Sequence, residues 1–261
     1  MYKRQTRRGL HLFIGISGLL SKYEGDLAEE STQAMQLAAC WQAAAAFFGI
    51  GDWWSLTWGG APLAALAAEI SQNSGALVNA SNGGNGQQPS NGALETAAAL
   101  ALRGPWGACY DAAKAAGAAL AQTLRRRGCG SRPVTLLGVS LGARVVWQCL
   151  EILAALPADE STGLIADVLL LAAPVTNNPS RWERVGRVVA GRLINAYVPG
   201  DTQLGVLYRI DHLTSKGCCG LEPVESDRVE SIDASEHVLG EFSYHFAVPA
   251  VAEAVGLLPS P

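Results

Sequence analysis

Five residues, Gly138-Val139-Ser140-Leu141-Gly142, carry the clearest chemical signal in this 261-residue chain. A short apolar run, Val134 to Leu137, leads into them. Apolar residues at helical spacing follow: Val145, Val146, Cys149, Leu150, Ile152 and Leu153. Strand, G-x-S-x-G, helix is the order that a nucleophile elbow needs. Glycines two positions either side of the serine let strand and helix approach each other. The helix start offers free backbone N–H groups and a positive dipole end where an oxyanion would develop. With 29 Gly in the chain, the bare pattern arises by chance on the order of 0.2 times. Its weight therefore comes from the flanking context, and the competing reading is an ordinary glycine turn with an incidental serine.

Ser140 is the candidate nucleophile, and a serine hydroxyl needs a base to take its proton. One oxyanion donor is the N–H of Leu141. The second comes from the loop after the first strand, at Leu19 or Gly18. The acid of such a site follows the serine and precedes the histidine. Asp201, behind Pro199-Gly200 at a strand end, has the best position, although a turn aspartate capping a helix from Thr202 would look the same. Asp167, which opens a strand, and Asp211, in a loop, are weaker. The base candidates are His212, His237 and His245. His11 precedes the first strand and stands at the wrong end of the sheet. His237 and His245 both follow the last strand, where a base is expected, and neither stands out alone.

The elements that must position these groups alternate. Strands are expected over residues 11–16, 53–58, 134–137, 165–175, 192–198 and 228–233. Helices are expected over 24–48, 62–70, 94–102, 108–127, after the serine, over 179–189, 204–209 and 249–257. Pro105-Trp106 is read as an interruption between two helices, and Pro249 as a first-turn residue. Alternation of this kind predicts an α/β fold with a mostly parallel sheet of about six strands and helices on both faces. Ligands then sit beyond the C-terminal strand ends, where Ser17-Gly18-Leu19, Ser140 and Asp201 all fall. Residues 79–92, rich in Asn and Gly, read as a surface insertion within a single domain spanning 1–261.

Composition narrows the partners. Hydrophobic residues make up 49% and charged residues 16%, and the net charge is −4. No long basic block is present, so nucleic acid is not an expected partner. The apolar balance, with mean hydropathy +0.17, suits a deeply buried sheet or a membrane-facing surface. The uncharged stretches 32–51 and 55–68 read as buried elements. Lys3, Arg4, Arg7 and Arg8 before Leu12–Leu20 resemble a signal peptide, but no small-x-small cleavage site follows, so a first strand is the reading. Six cysteines show neither metal spacing nor C-x-x-C. No metal or cofactor is expected, and reduced thiols fit an intracellular compartment. A nucleotide-binding doubly wound domain would need G-x-G-x-x-G or a P-loop, which the chain lacks.

Several segments in combination resemble one family. They are 132–149, Ala166–Val175, Trp182, Val188–Tyr197 with Asp201, and Tyr208-Arg209. Ser17-Gly18-Leu19, Pro105-Trp106-Gly107 and Val229–Asp233 add to them. The chain resembles the α/β-hydrolase-like family of the transmembrane and coiled-coil domain-containing protein 4. The resemblance implies an α/β-hydrolase fold, an esterase- or lipase-like site and frequent membrane association. Ser140 and Asp201 fall on that family's serine and aspartate positions. The family's Gly-His pair after the last strand reads Gly240-Glu241 here, with Tyr244 at the family's tyrosine. His245, four residues on, would share a helix face with position 241. Glu241 itself as base would need a raised pKa, and an inactive site is the third option. The family also carries a helical, membrane-linked region before the sheet. A chain that opens directly on a strand is expected to be a fragment or a shortened gene product.

The reading is therefore a serine hydrolase acting on an ester or lipid-like acyl substrate. It uses Ser140, Asp201 and His245, with oxyanion donors at Leu19 and Leu141. The alternative is an inactive hydrolase fold serving as a membrane-associated or trafficking scaffold.

Overall fold

The computed structural model describes residues 11–18, 41, 45, 51–72, 92–212, 217–238 and 244–257; the side chains of 93–100, 211, 245 and 246 are excepted. Six strands form one all-parallel sheet: β1 (Leu12–Ile16), β2 (Asp52–Leu56), β3 (Val134–Val139), β4 (Ile165–Leu171), β5 (Leu193–Tyr197) and β6 (Glu230–Asp233). Their order is β2-β1-β3-β4-β5-β6. Every residue of β3 is buried, as a strand covered on both faces requires. The register sets Ile16 beside Gly138 and Val139 beside Leu171. The C-terminal ends of β1, β3 and β4 are therefore level, and the segments that follow them emerge along one edge.

The helices are α1 (Gly60–Gln72), α2 (Gly92–Arg125), α3 (Leu141–Ala154), α4 (Ala158–Ser161), α5 (Pro179–Gly186), α6 (Thr202–His212) and α7 (Tyr244–Ala254). One sheet face packs on α2, α3 and α5 through a core holding Leu136, Val146, Trp147 and Trp182. Both tryptophans are fully buried, so truncating either to alanine costs about 3–5 kcal/mol. The other face packs on α6 and α7 through Leu137, Leu169, Tyr208 and Val251. A third apolar cluster joins α1, α2 and α6 to Leu141, beside the level strand ends. Among the described residues no helix is long and apolar enough to cross a membrane.

Beyond small shifts of element ends and the unforeseen short helix Ala158–Ser161, three differences from the expectation stand out. First, α2 runs unbroken through Pro105. A proline inside a helix loses one hydrogen bond and clashes with the preceding turn, but Leu102 and Trp106 beside it are almost completely buried. Their packing outweighs the local penalty. Second, α7 begins at Tyr244, so Pro249 lies inside it and cannot donate to the carbonyl of His245. Third, β4 stops at Leu171, not Val175, because Ala172 takes φ 50° and turns the chain out of the sheet. The expected helix 24–48 and the insertion lie almost wholly outside the described residues.

At the opposite sheet end, His11 Nε2 meets Thr135 Oγ1 at 2.8 Å. The five described cysteines (109, 129, 149, 218 and 219) are all buried and form no disulfide. Burial pushes Cys109 and Cys218 up to about 12 and raises the thiols of Cys129, Cys149 and Cys219 too.

Candidate active site

Ser140 stands between β3 and α3 with φ 53° and ψ −126°, a conformation that non-glycine residues rarely hold. Its backbone N–H donates to Leu171 O at 2.9 Å, and its carbonyl accepts from Ala143 N at 2.9 Å. The side chain does not cap its own helix, so the hydroxyl is not consumed by the local turn. The flanking glycines are required by contact. A Cβ at Gly138 would stand 2.6 Å from Ala143 Cα, and one at Gly142 would overlap the carbonyl of Ile16. Strand, bend and helix are thus pressed against the end of β1.

That end is held in place. Trp41 Nε1 donates to Ser17 Oγ and Trp58 Nε1 donates to Ser17 O, both at 2.8 Å. Gly18 comes next, so close to the bend that a Cβ there would lie 2.5 Å from Leu141 N. Leu141 is the first residue of α3, and its N–H has no acceptor within the helix. Sequence reasoning did not identify Trp41 or Trp58 as positioning groups. For Trp41 the available signal was Gly15 inside β1, where a side chain would overlap the Trp41 ring.

Asp201 lies four residues beyond β5 and is buried at 7% exposure. Its Oδ1 accepts from Leu204 N at 2.8 Å, a helix cap, and its Oδ2 accepts from the Tyr244 hydroxyl. The capping geometry that a turn aspartate would show is therefore present. Tyr244 immediately precedes His245 in the first turn of α7. The side chain of His245, and Leu19 and Glu241 altogether, fall outside the described residues. His212 ends α6, exposed, with Nδ1 3.1 Å from Tyr208 O and its ring stacked on Tyr208 at 4.0 Å. His237 sits in a one-turn 3-10 helix, residues 235–237. Asp167 stands near the start of its strand, accepting from Arg192 N at 2.8 Å.

The surroundings are mainly apolar. A groove of about 450 Å³ runs between β2 and α2, lined by Trp54, Leu56, Trp58, Ala116, Leu120 and Cys129 among others. Trp58 also packs against the cluster that holds Leu141. Beside the bend, the Arg144 guanidinium lies over the Tyr110 ring at 4.7 Å, and Tyr110 donates to Pro174 O at 2.5 Å. The loop after β4 is braced by Cys218 and Cys219, whose sulfurs lie 3.6 and 3.5 Å from Ala173 O. Among the described residues no group of three His, Cys, Asp or Glu side chains could hold a metal ion.

Fold and bend together define an α/β protein whose central strand delivers a serine at a strand-to-helix turn. The chain belongs to the family described as "Protein of unknown function (DUF726)", which matches residues 93–258. It is 40% identical over 148 residues to the rice protein named "Transmembrane and coiled-coil domain-containing protein STS1", covering 57% of this chain and 22% of that one. It is 39% identical over 163 residues to "Uncharacterized membrane protein F35D11.3" of Caenorhabditis elegans, covering 61% and 26%. It is 33% identical over 157 residues to "Probable lipase MIL1" of Saccharomyces cerevisiae, covering 60% and 14%. The matched region thus spans roughly a quarter or less of these relatives. No solved structure matches the chain. Of the kinship expected from the sequence, membership of this family is shown; the finer link to the transmembrane and coiled-coil domain-containing protein 4 is not.

Proposed function

We propose that the chain is a serine hydrolase domain acting on ester bonds of apolar, lipid-like substrates. The observation that carries this reading is Ser140 held at φ 53°, ψ −126° with its hydroxyl not spent on capping. Backbone strain of this kind costs about 1–3 kcal/mol and collects at functional sites. In the reaction, Oγ attacks the ester carbonyl carbon while a base accepts its proton. We assign the N–H of Leu141 as one donor to the developing oxyanion and, on chain order alone, that of Leu19 as the second. The C–O bond then breaks, the proton passes to the departing alcohol, and water releases the acid from the acyl-serine. Asp201 is the carboxylate for orienting the base, and His245, on the residue after Asp201's partner Tyr244, is the base we assign. The apolar cluster that holds Leu141 and the printed name of the yeast relative both favour an apolar acyl group.

The test is labelling by a fluorophosphonate probe: wild-type protein labels, and Ser140→Ala does not. Full-length wild-type protein that takes no label overturns the reading.

A second reading, an inactive hydrolase fold used as a membrane-associated scaffold, is favoured by one observation. The Asp201 carboxylate accepts from Leu204 N and from the Tyr244 hydroxyl, which gives it a structural role whether or not a base stands beside it. Full labelling of Ser140 eliminates it.

A further inference from the structure

Two buried donors that find no hydrogen-bond acceptor, Arg144 Nε and Trp106 Nε1, flank a single ring. The Arg144 guanidinium lies over Tyr110 at 4.7 Å, and the Trp106 ring packs on the same tyrosine at 5.2 Å. Trp106 is 1% exposed, so solvent does not satisfy its N–H. Arg144 as a whole residue is only partly buried, although its Nε is closed to solvent. Among the described residues no carboxylate pairs with it. Trp147 Nε1 is also without an acceptor, but it packs against Trp182 of α5.

The chemistry of this pair is one-sided. A guanidinium offers five donors, cannot accept, and stays charged when buried. An indole offers one donor and no acceptor. Arg144 also sits in the first turn of α3, where the helix dipole disfavours a cation. A positive, donor-only pair against these local rules is what a site for an anionic oxygen group requires. The pair is also braced, because Tyr110 is tied to Pro174 O at 2.5 Å. It adjoins the bend: Arg144 N approaches Ser140 O at 3.4 Å, and Trp106 and Tyr110 share an apolar cluster with Leu141. The charge is felt on α6 as well. Burial raises the Tyr208 hydroxyl pKa, and Arg144 pulls it back down.

We propose that Arg144 and Trp106 form a subsite beside Ser140 that binds a carboxylate or phosphate group, so that the preferred substrates are anionic amphiphiles. This rests on the hydrolase reading for the word substrate; the binding of the anion does not.

The experiment titrates full-length protein with octyl phosphate, octanoate and the uncharged octyl glucoside. Wild type is expected to bind one or both anions at least tenfold more tightly than the glucoside, and the ratio between the two identifies phosphate or carboxylate. Arg144→Met, which keeps the packing and removes the charge, is expected to abolish that preference without lowering Tm. Trp106→Phe is expected to weaken it; if that variant does not fold, Arg144→Met and Arg144→Lys carry the test. Equal binding of all three probes by wild type overturns the proposal, as does an Arg144→Met variant that keeps the preference. A Tm loss in Arg144→Met with the preference retained assigns the arginine a structural role and overturns it too. Fluorophosphonate labelling in parallel separates the two readings. Label without anion preference removes the subsite alone, and anion preference without label removes the hydrolase reading alone.

Discussion

The hydroxyl of Tyr244 donates to Oδ2 of Asp201, joining the first turn of α7 to the loop after β5 across 43 residues of chain. This bond ties the start of the helix that carries His245 to the carboxylate proposed to orient it. Tyr244→Phe is expected to lose about 1.5–3 kcal/mol, the usual cost of removing a buried hydrogen bond to a charged acceptor, read as a shift in urea midpoint. Asp201→Asn removes the charge itself. It is expected to lower ester turnover far more than Tyr244→Phe does, by on the order of 10⁴-fold. Equal turnover losses in the two variants would reduce Asp201 to a structural cap.

The bend at Ser140 sets stability against chemistry. Ser140→Gly relieves the positive φ, whereas Ser140→Ala keeps it. Both are expected to abolish probe labelling. Thermal melts should place Ser140→Gly above Ser140→Ala by about 1–2 kcal/mol, and the reverse order would mean that the backbone at 140 is not strained.

Close approach makes Gly142 the least replaceable glycine of the bend. A methyl group there overlaps the Ile16 carbonyl, and backbone cannot swing aside as a long side chain can. Gly142→Ala is expected to cost about 3 kcal/mol or more and to abolish labelling. Soluble expression with wild-type Tm would contradict the packing described.

Acid should weaken the far end of the sheet through His11. Burial holds its pKa below the usual 6.5, with Asp167 pulling it up and Arg132 pulling it down. The unfolded chain therefore binds this proton where the folded chain does not. The stabilising contribution is complete above pH 6.5 and is lost as pH falls through the lowered folded value. Urea midpoints followed from about pH 8 to about pH 5 should fall, and His11→Asn should flatten that decline. A wild-type midpoint that climbs on acidification would reverse the sign argued here.

Residues 134–142 were readable from sequence because everything the bend needs is local: an apolar strand, small residues around a serine, and a helical stripe. The parallel sheet followed from alternation, and the six strands lie close to where periodicity puts them. What stayed hidden depends on contacts between distant segments. Pro105 reads as a break until the burial of Leu102 and Trp106 is known. Residues 172–175 would continue an apolar strand on hydropathy alone, but Ala172 sits at φ 50°, with the Gly220 backbone packed against it. Arg144 looks like a solvent-facing helix residue until Tyr110, 34 positions earlier, is seen beneath it. The choice among histidines has the same origin: chain order ranks them, and only side-chain placement can decide.

The buried thiols bear on how any covalent label should be interpreted. Thiolates attack electrophiles, and these five cysteines are both inaccessible and held in the protonated form. A reagent that modifies the native chain within residues 92–212 or 217–238 must therefore have found something other than sulfur. Maleimide uptake at the same five positions would instead count opened molecules, which makes the chain its own reporter of unfolding.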